Sequence, residues 1–195
     1  TYPIVEDESG TFILSSKDLC MIQHIPELVH AGVTAWKIEG RMKSQYYVAA
    51  VTRIYREALD RYFADPDGYV YDQKWLSELE KVSHREYGTG FFFGNQGYNS
   101  QTTHPGNFYI KEYDYLGMIS NVLSDGVAEV LAKNRILSNT PIEIIGRRLS
   151  EDFSQVLLDL RNEYNEPIEA AHAGQKVLVK VSHPVHKYFM LRKCG

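Results

Sequence analysis

The sequence predicts the last βα units of a parallel α/β (TIM-like) barrel followed by a small C-terminal β-barrel. Three observations carry this expectation. Tyr47, Ala50, Val51, Ile54, Tyr55, Ala58 and Tyr62 recur at spacings of three, four and seven, the period of a helix with one apolar face. Short apolar runs at residues 11–14 and 33–38 each precede a helical pattern, so that residues 11–63 read β, α, β, α. From Asn107 onward the period changes to alternation, with turn signals such as Ser124-Asp125-Gly126 and Ala173-Gly174 between short runs. The implied division is residues 1–83 for the α/β portion, 84–106 for a connecting loop and 107–195 for the β portion.

Taken in order, Glu6, Asp7 and Glu8 before Gly10 read as a solvated loop or hairpin, and Phe12 and Leu14 alternate in a first strand. Ser15 or Ser16 can cap a helix, with Asp18 in its first turn facing the free N–H groups. Pro26 disfavours the helical conformation at Ile25, so one short turn through Met21 and a second helix starting at Pro26 are expected, with Gly32 as the stop. The strand at 33–38 follows, then the long helix, which Asp65, Pro66, Asp67 and Gly68 end. Asp72 is positioned to cap a further helix that buries Trp75, Leu76, Leu79 and Val82. Strands are expected at 108–113, 115–123, 126–132, 141–145, 152–160 and 175–181, with 188–191 as a seventh. That number in so short a span suggests closure into a barrel.

Composition fits an ordinary globular chain: 195 residues, 44% hydrophobic and 24% charged. No apolar run reaches the roughly 18 residues of a membrane helix and no signal-like segment follows the start, so the cytoplasm is the default location. The two cysteines, Cys20 and Cys194, lie far apart without a CxxC partner, which argues against a structural disulfide in a reducing compartment. The net charge of −4 excludes nucleic-acid binding driven by bulk charge, yet residues 170–195 contain no acid at all.

Loops leaving the carboxyl ends of strands are where α/β sheets meet ligands. Lys37, Glu39, Arg41 and Lys43 occupy such a loop and can hold an anionic substrate or a phosphate; an exposed charged turn with internal ion pairs is the competing reading. His84 and Arg85 open the stretch SHREYGTGFFFGNQGYNSQTTHPG, which has no lasting period. Long ordered loops tend to be functional, and Phe91, Phe92 and Phe93 are too apolar for a free tether, so this one is expected to pack back on the α/β portion.

SSKDLC, KIEGRMKSQYYVA and SHREYGTGFFFG, in that order between residues 15 and 94, resemble the collagenase-like peptidase family U32 of unassigned catalytic type. Its better-understood bacterial members are the prephenate-dependent tRNA uridine hydroxylases. The resemblance implies that the chain is the C-terminal half of a longer protein that forms 5-hydroxyuridine at the tRNA wobble position, with prephenate as co-substrate. It also implies an iron-sulfur cluster in the full-length protein, of which SSKDLC supplies the last ligand, Cys20. A cluster needs about four thiolates, so none is expected in this half alone, which should be catalytically silent. Cys194 matches no ligand and reads as an exposed, adventitious thiol. The implied partners are tRNA and the N-terminal half of the same protein.

The family's older name makes a peptidase the alternative. No HExxH helix or GxSxG elbow is present, and His24 and His30 are the histidines that could pair with Cys20. A module that binds RNA or a protein without turnover is the third class. For RNA, the candidates are Arg147, Arg148, Lys176, Lys180, Lys187, Arg192 and Lys193. Lys176 and Lys180 lie four apart on one strand face, and Tyr188 and Phe189 are available to stack on unpaired bases.

Overall fold

The computed structural model describes residues 4–7, 10–13, 15–94, 101–102, 109–123 and 126–194, and the chain divides into two compact units. The first comprises Thr1–Lys43 and Ala50–Lys111; the second comprises Ser44–Ala49 and Glu112–Gly195. The architecture is mixed α/β, with one large curled sheet. No helix among the described residues is long and apolar enough to cross a membrane.

In the first unit, β1 (Ile4–Asp7) and β2 (Gly10–Ile13) form an antiparallel hairpin around the acidic stretch. The helix expected from Ser15 or Ser16 does not form there. β3 (Ser15–Ser16) pairs with β6 (Gln101–Thr102), and β4 (Asp18–Leu19) runs parallel to β5 (Tyr87–Gly88). The backbone N–H groups that a cap would have served find distant carbonyls instead: Asp18 donates to Glu86 O and Cys20 to Gly88 O, both at 2.9 Å. Helical structure begins later, with a 3-10 turn at Ile22–His24 and then α1 (Ile25–His30), which carries Pro26 in its first turn. Gly32 ends it at φ 80°, a conformation that glycine adopts without a Cβ penalty. Residues 33–38, read as the next strand, have no ladder among the described residues. Their apolar pattern offers a strand face, but strand structure needs a neighbour to accept its hydrogen bonds.

The long helix is α2 (Gln45–Ala64), and its buried stripe runs through Tyr46, Ala50, Val51, Ile54, Ala58 and Tyr62. Two details differ from the periodic reading. Tyr46 rather than Tyr47 leads the stripe, and Arg53, which lies outside the apolar spacing, is buried. Its guanidinium lies 2.8 Å from the carboxylate of Glu78 in α3 (Gln73–Glu80), a partner that makes the burial tolerable. Asp72 caps α3 as expected, its Oδ1 accepting from the Lys74 N–H at 3.0 Å. Trp75, Leu79 and Val82 are buried, while Leu76 is half-buried.

The second unit is built on β7 (Tyr113–Val122), β8 (Val127–Ala132), β9 (Ile136–Leu137), β10 (Pro141–Ile145), β11 (Phe153–Val156), β12 (Leu160–Asn162), β13 (Ala170–Ala171), β14 (Lys176–Lys180) and β15 (Met190–Cys194). Seven of these form one sheet in the order β11-β10-β15-β7-β8-β14-β12, and β9 pairs with β13. Inward residues alternate along the strands, as in Val177 and Val179 or Ala128, Val130 and Ala132, and enclose a core that includes Ile119, Ile142, Leu160, Phe189 and Leu191. Each fully buried Val, Leu or Ile contributes roughly 1.5–3 kcal/mol relative to exposure. The ladder order is open, so the expected closed barrel is a curled half-barrel with β11 and β12 as edges. The run at 152–160 breaks into two strands, and β12 is only three residues long. A side chain bridges the gap that backbone pairing leaves. Gln155 of β11 donates from Nε2 to Lys180 O at 2.8 Å and accepts at Oε1 from the Ser182 N–H at 2.9 Å. Phe108 lies outside the described residues, and 109–112 carry no strand, so the first two expected strands reduce to β7.

Candidate functional site

The parallel pairing of β4 with β5 brings Asp18 beside the segment that opens with His84 and Arg85. Asp18 Oδ2 accepts the Arg85 backbone N–H at 3.0 Å, and Oδ1 lies 3.6 Å from Arg85 Nε. Lys43, at the end of the charged loop, donates from Nζ to Ser83 O at 3.0 Å and lies 3.8 Å from Asp18 Oδ2. Arg85 also donates from its guanidinium to Ser16 O at 2.9 Å. The Tyr109 ring lies against both cations, 4.4 Å from Lys43 Nζ and 5.5 Å from Arg85 Cζ. Two cations therefore share one carboxylate and one aromatic face. Lys43, Asp18 and Arg85 side chains are only 19–26% exposed, so their charges are less screened than on an open surface.

His84 adds a polar group of a different kind. Its backbone bridges to Ile110, its ring stacks on Tyr87 at 4.3 Å, and Nδ1 meets the Arg85 carbonyl. Because a carbonyl only accepts, that contact places a proton on Nδ1. Nε2 is buried without a hydrogen-bond partner among the described residues. The site can thus pair a carboxylate or phosphate with Arg85 and Lys43 and pack a ring on Tyr109.

Of the residues singled out in the charged loop, only Lys43 enters this cluster. Lys37, Glu39 and Arg41 are exposed. Glu39 Oε1 accepts the Arg41 backbone N–H at 2.8 Å, which is the internal pairing of a turn. Asp18 and Tyr109 were missed by pattern reading. Asp18 resembled a helix-cap acid, and nothing in periodicity marks Tyr109; the signal available for Asp18 was its place inside SSKDLC.

Cys20 follows β4 and faces Tyr55, whose hydroxyl lies 3.8 Å from Sγ and also accepts the Met21 N–H at 2.9 Å. Burial pushes its thiol pKa up, beyond what hydrogen bonds from Ile22 and Tyr55 recover. The histidines considered as its partners are engaged elsewhere: His24 with Glu27 at 3.1 Å and the Phe93 ring, His30 with the Tyr62 ring. A thiol kept protonated beside a tyrosine is the reverse of an activated cysteine nucleophile. Among the described residues no group of three or more Cys, His, Asp or Glu is placed to hold a metal.

The basic residues of the second unit divide into three kinds. Arg192 is 1% exposed and cannot meet RNA. Its guanidinium lies 2.6 Å from Glu143, donates to the Tyr46 hydroxyl at 3.1 Å, and lies 5.3 Å from the Tyr113 ring centroid. Phe189, expected to stack on bases, is likewise buried at 2%. Lys176 and Lys193 are paired, with Glu129 at 3.2 Å and Asp114 at 3.8 Å. Arg147, Arg148, Lys180 and Lys187 are exposed, and Lys180 does share an outward face of β14 with Lys176. Cys194 is exposed.

Residues 1–102 match the family model for peptidase family U32, and residues 111–192 match that for its C-terminal domain. The chain belongs to peptidase family U32. The three U32 motifs read from the sequence supply the cluster: SSKDLC gives Asp18, KIEGRMKS gives Lys43, and SHREYG gives Ser83, His84 and Arg85. The chain is 35% identical to a tRNA hydroxylation protein of Bacillus subtilis, over 96% of this chain and 44% of that one. It is 36% identical to an uncharacterized protease of Methanocaldococcus jannaschii, over 96% of this chain and 45% of that one. It is 29% identical to a collagenase of Porphyromonas gingivalis, over 92% and 49%. The chain spans less than half the length of these curated relatives.

Proposed function

We propose that the protein to which these residues belong is a tRNA-modifying enzyme that forms 5-hydroxyuridine at the wobble position in a prephenate-dependent reaction, and that the Asp18, Lys43, Arg85 and Tyr109 cluster holds an anionic group of its substrate. The observation that carries the reading is the convergence of three separated family motifs on one set of cations in the first unit. The similarity to proteins named for tRNA hydroxylation supports the reaction class. In this reading the first unit completes a parallel α/β barrel with chain from outside these residues, residues 33–38 pair there as a strand, and the enzyme works in the cytoplasm on tRNA. Cys20 is then one cluster ligand of four, the other three coming from that further chain, and these 195 residues alone are inactive.

The test is made in cells with the full-length gene. Arg85→Gln and Lys43→Met are each expected to reduce 5-hydroxyuridine in total tRNA at least about tenfold, the loss of one charge-assisted contact. Arg41→Ala serves as the comparison. Loss at Arg85 with retention at Arg41 puts the anion in the cluster, and the converse puts it on the exposed loop. A peptidase is the second reading, favoured by the protease and collagenase names among relatives. It requires a nucleophile, and the protonated, tyrosine-facing Cys20 supports that poorly.

A further inference from the structure

We infer that two contiguous loops of the second unit, residues 146–148 and 186–189, form a docking surface for single-stranded RNA, with Tyr188 as the stacking platform and Arg147, Arg148 and Lys187 as phosphate contacts. The surface uses none of the residues of the anion cluster; only the choice of RNA as partner rests on the proposed function.

The loops touch. A Cβ on Gly146 would lie 2.8 Å from Phe189 Cζ, so only glycine permits that approach, and the His186 ring packs edge-on against Phe189 at 5.5 Å. The acids nearest the two arginines turn toward the backbone. Glu151 Oε2 accepts the N–H groups of Arg147 and Arg148 at 2.7 and 2.9 Å, and Asp152 Oδ1 accepts the Gly146 N–H at 2.9 Å. Arg147, Arg148 and Lys187 are exposed and have no carboxylate partner through their side chains among the described residues. This separates them from Lys176, Lys193 and Arg192, whose charges are matched within the unit.

Tyr188 is the second, independent observation. It is 61% exposed, and its φ of 77° belongs to a region that L side chains rarely adopt. Backbone hydrogen bonds hold it there: Tyr188 N–H to Ile119 O at 2.8 Å, Ile119 N–H to Phe189 O at 2.8 Å, and Phe189 N–H to His186 O at 3.1 Å. Glycine would serve this turn with less strain, and the adjacent Phe189 already fills the core. A tyrosine in that conformation with most of its surface in solvent has a ring face open to contact with something else. Lys187 Nζ lies 5.1 Å from the same ring centroid. An exposed aromatic face beside Lys187, on a loop that touches the one carrying Arg147 and Arg148, with no other large apolar side chain exposed on the two loops, suits stacked bases and phosphates better than an apolar protein surface.

The test uses the 195-residue chain and a labelled, unmodified tRNA transcript, with binding followed by fluorescence anisotropy across salt concentrations. The Arg147→Glu, Arg148→Glu double variant is expected to weaken binding at least about tenfold and to lower the salt slope by about 1.4–1.8, since each lost phosphate contact removes about 0.7–0.9. Tyr188→Gly, which suits the backbone and should fold at least as well by circular dichroism, is expected to weaken binding about fivefold to a hundredfold through the lost stack. The Lys176→Glu, Lys193→Glu double variant changes net charge equally and controls for bulk electrostatics. Equal losses in the two double variants, or full binding by Tyr188→Gly, overturns the inference. Unchanged tRNA affinity together with lost modification in cells would mean that the surface docks a protein, and also overturns it. Absence of tRNA binding by the unaltered chain, with 5-hydroxyuridine still dependent on the gene, refutes this surface and leaves the proposed function standing.

Discussion

At Arg192 a cationic side chain that reads from sequence as surface charge is a buried pivot. It is the cross-strand neighbour of Glu143, and a register slip between Leu191 and Arg192 accompanies its burial. Removing the carboxylate takes away the counter-charge 2.6 Å from the buried guanidinium, so Glu143→Gln is expected to destabilise the chain by about 2–4 kcal/mol in urea unfolding, the partly exposed acid keeping the effect near the lower end. Cys20 and Cys194 make a second contrast. The buried Cys20 thiol has its pKa raised, whereas Cys194 is exposed. Iodoacetamide at pH 7 should therefore modify Cys194 readily and spare Cys20, with mass spectrometry of the peptides as the readout. The linkage has a definite sign. Because folding favours the neutral thiol, the contribution of Cys20 to stability is complete below its ordinary pKa and is lost as pH rises through the raised one. Equal labelling of both cysteines at pH 7 would contradict this assignment.

Among the elements, the loop at 146–148 depends most visibly on one small residue. A methyl at Gly146 would lie 2.6 Å from Glu151 Cβ as well as 2.8 Å from Phe189 Cζ, both in packed surroundings. Gly146→Ala is accordingly expected to cost about 1–3 kcal/mol and to displace the two arginines, which thermal unfolding and tRNA binding would each register. The cap of α3 is a milder case. Asp72→Ala removes the hydrogen bond to Lys74 N–H and the 3.2 Å pair with Arg61, for an expected loss of about 1 kcal/mol.

At the scale of the whole molecule, the cations of the first unit and the basic surface of the second coexist with a net charge of −4. The proposed attraction to RNA would then come from local fields, and it is expected to fall steeply with added salt. The purified 195-residue chain is expected neither to hydroxylate tRNA nor to degrade gelatin. Turnover of either substrate would overturn the expectation, and gelatin degradation lost in a Cys20→Ala variant would revive the peptidase.

What the sequence determined by itself was whatever depends on neighbours along the chain. The period of 3.6 located α2, the Asp72 cap and Gly32 bounded their helices, and alternation located β8, β10 and β14 almost to the residue. Lys43, His84 and Arg85 were candidates by their places in two loops, but the contacts that bring Lys43 and Arg85 to Asp18 were not legible in spacing. Only the tertiary structure decided the rest, because each remaining outcome turns on a partner far away in sequence. Asp18 is extended, not helical, since Glu86 and Arg85 satisfy it across nearly seventy positions. Arg53 and Arg192 are buried because Glu78 and Glu143 face them, and no pattern of spacing encodes that. The barrel is open because β12 is short and a glutamine side chain spans the gap that backbone pairing leaves. A burial pattern reports which face of an element turns inward; only packing reports what is waiting there.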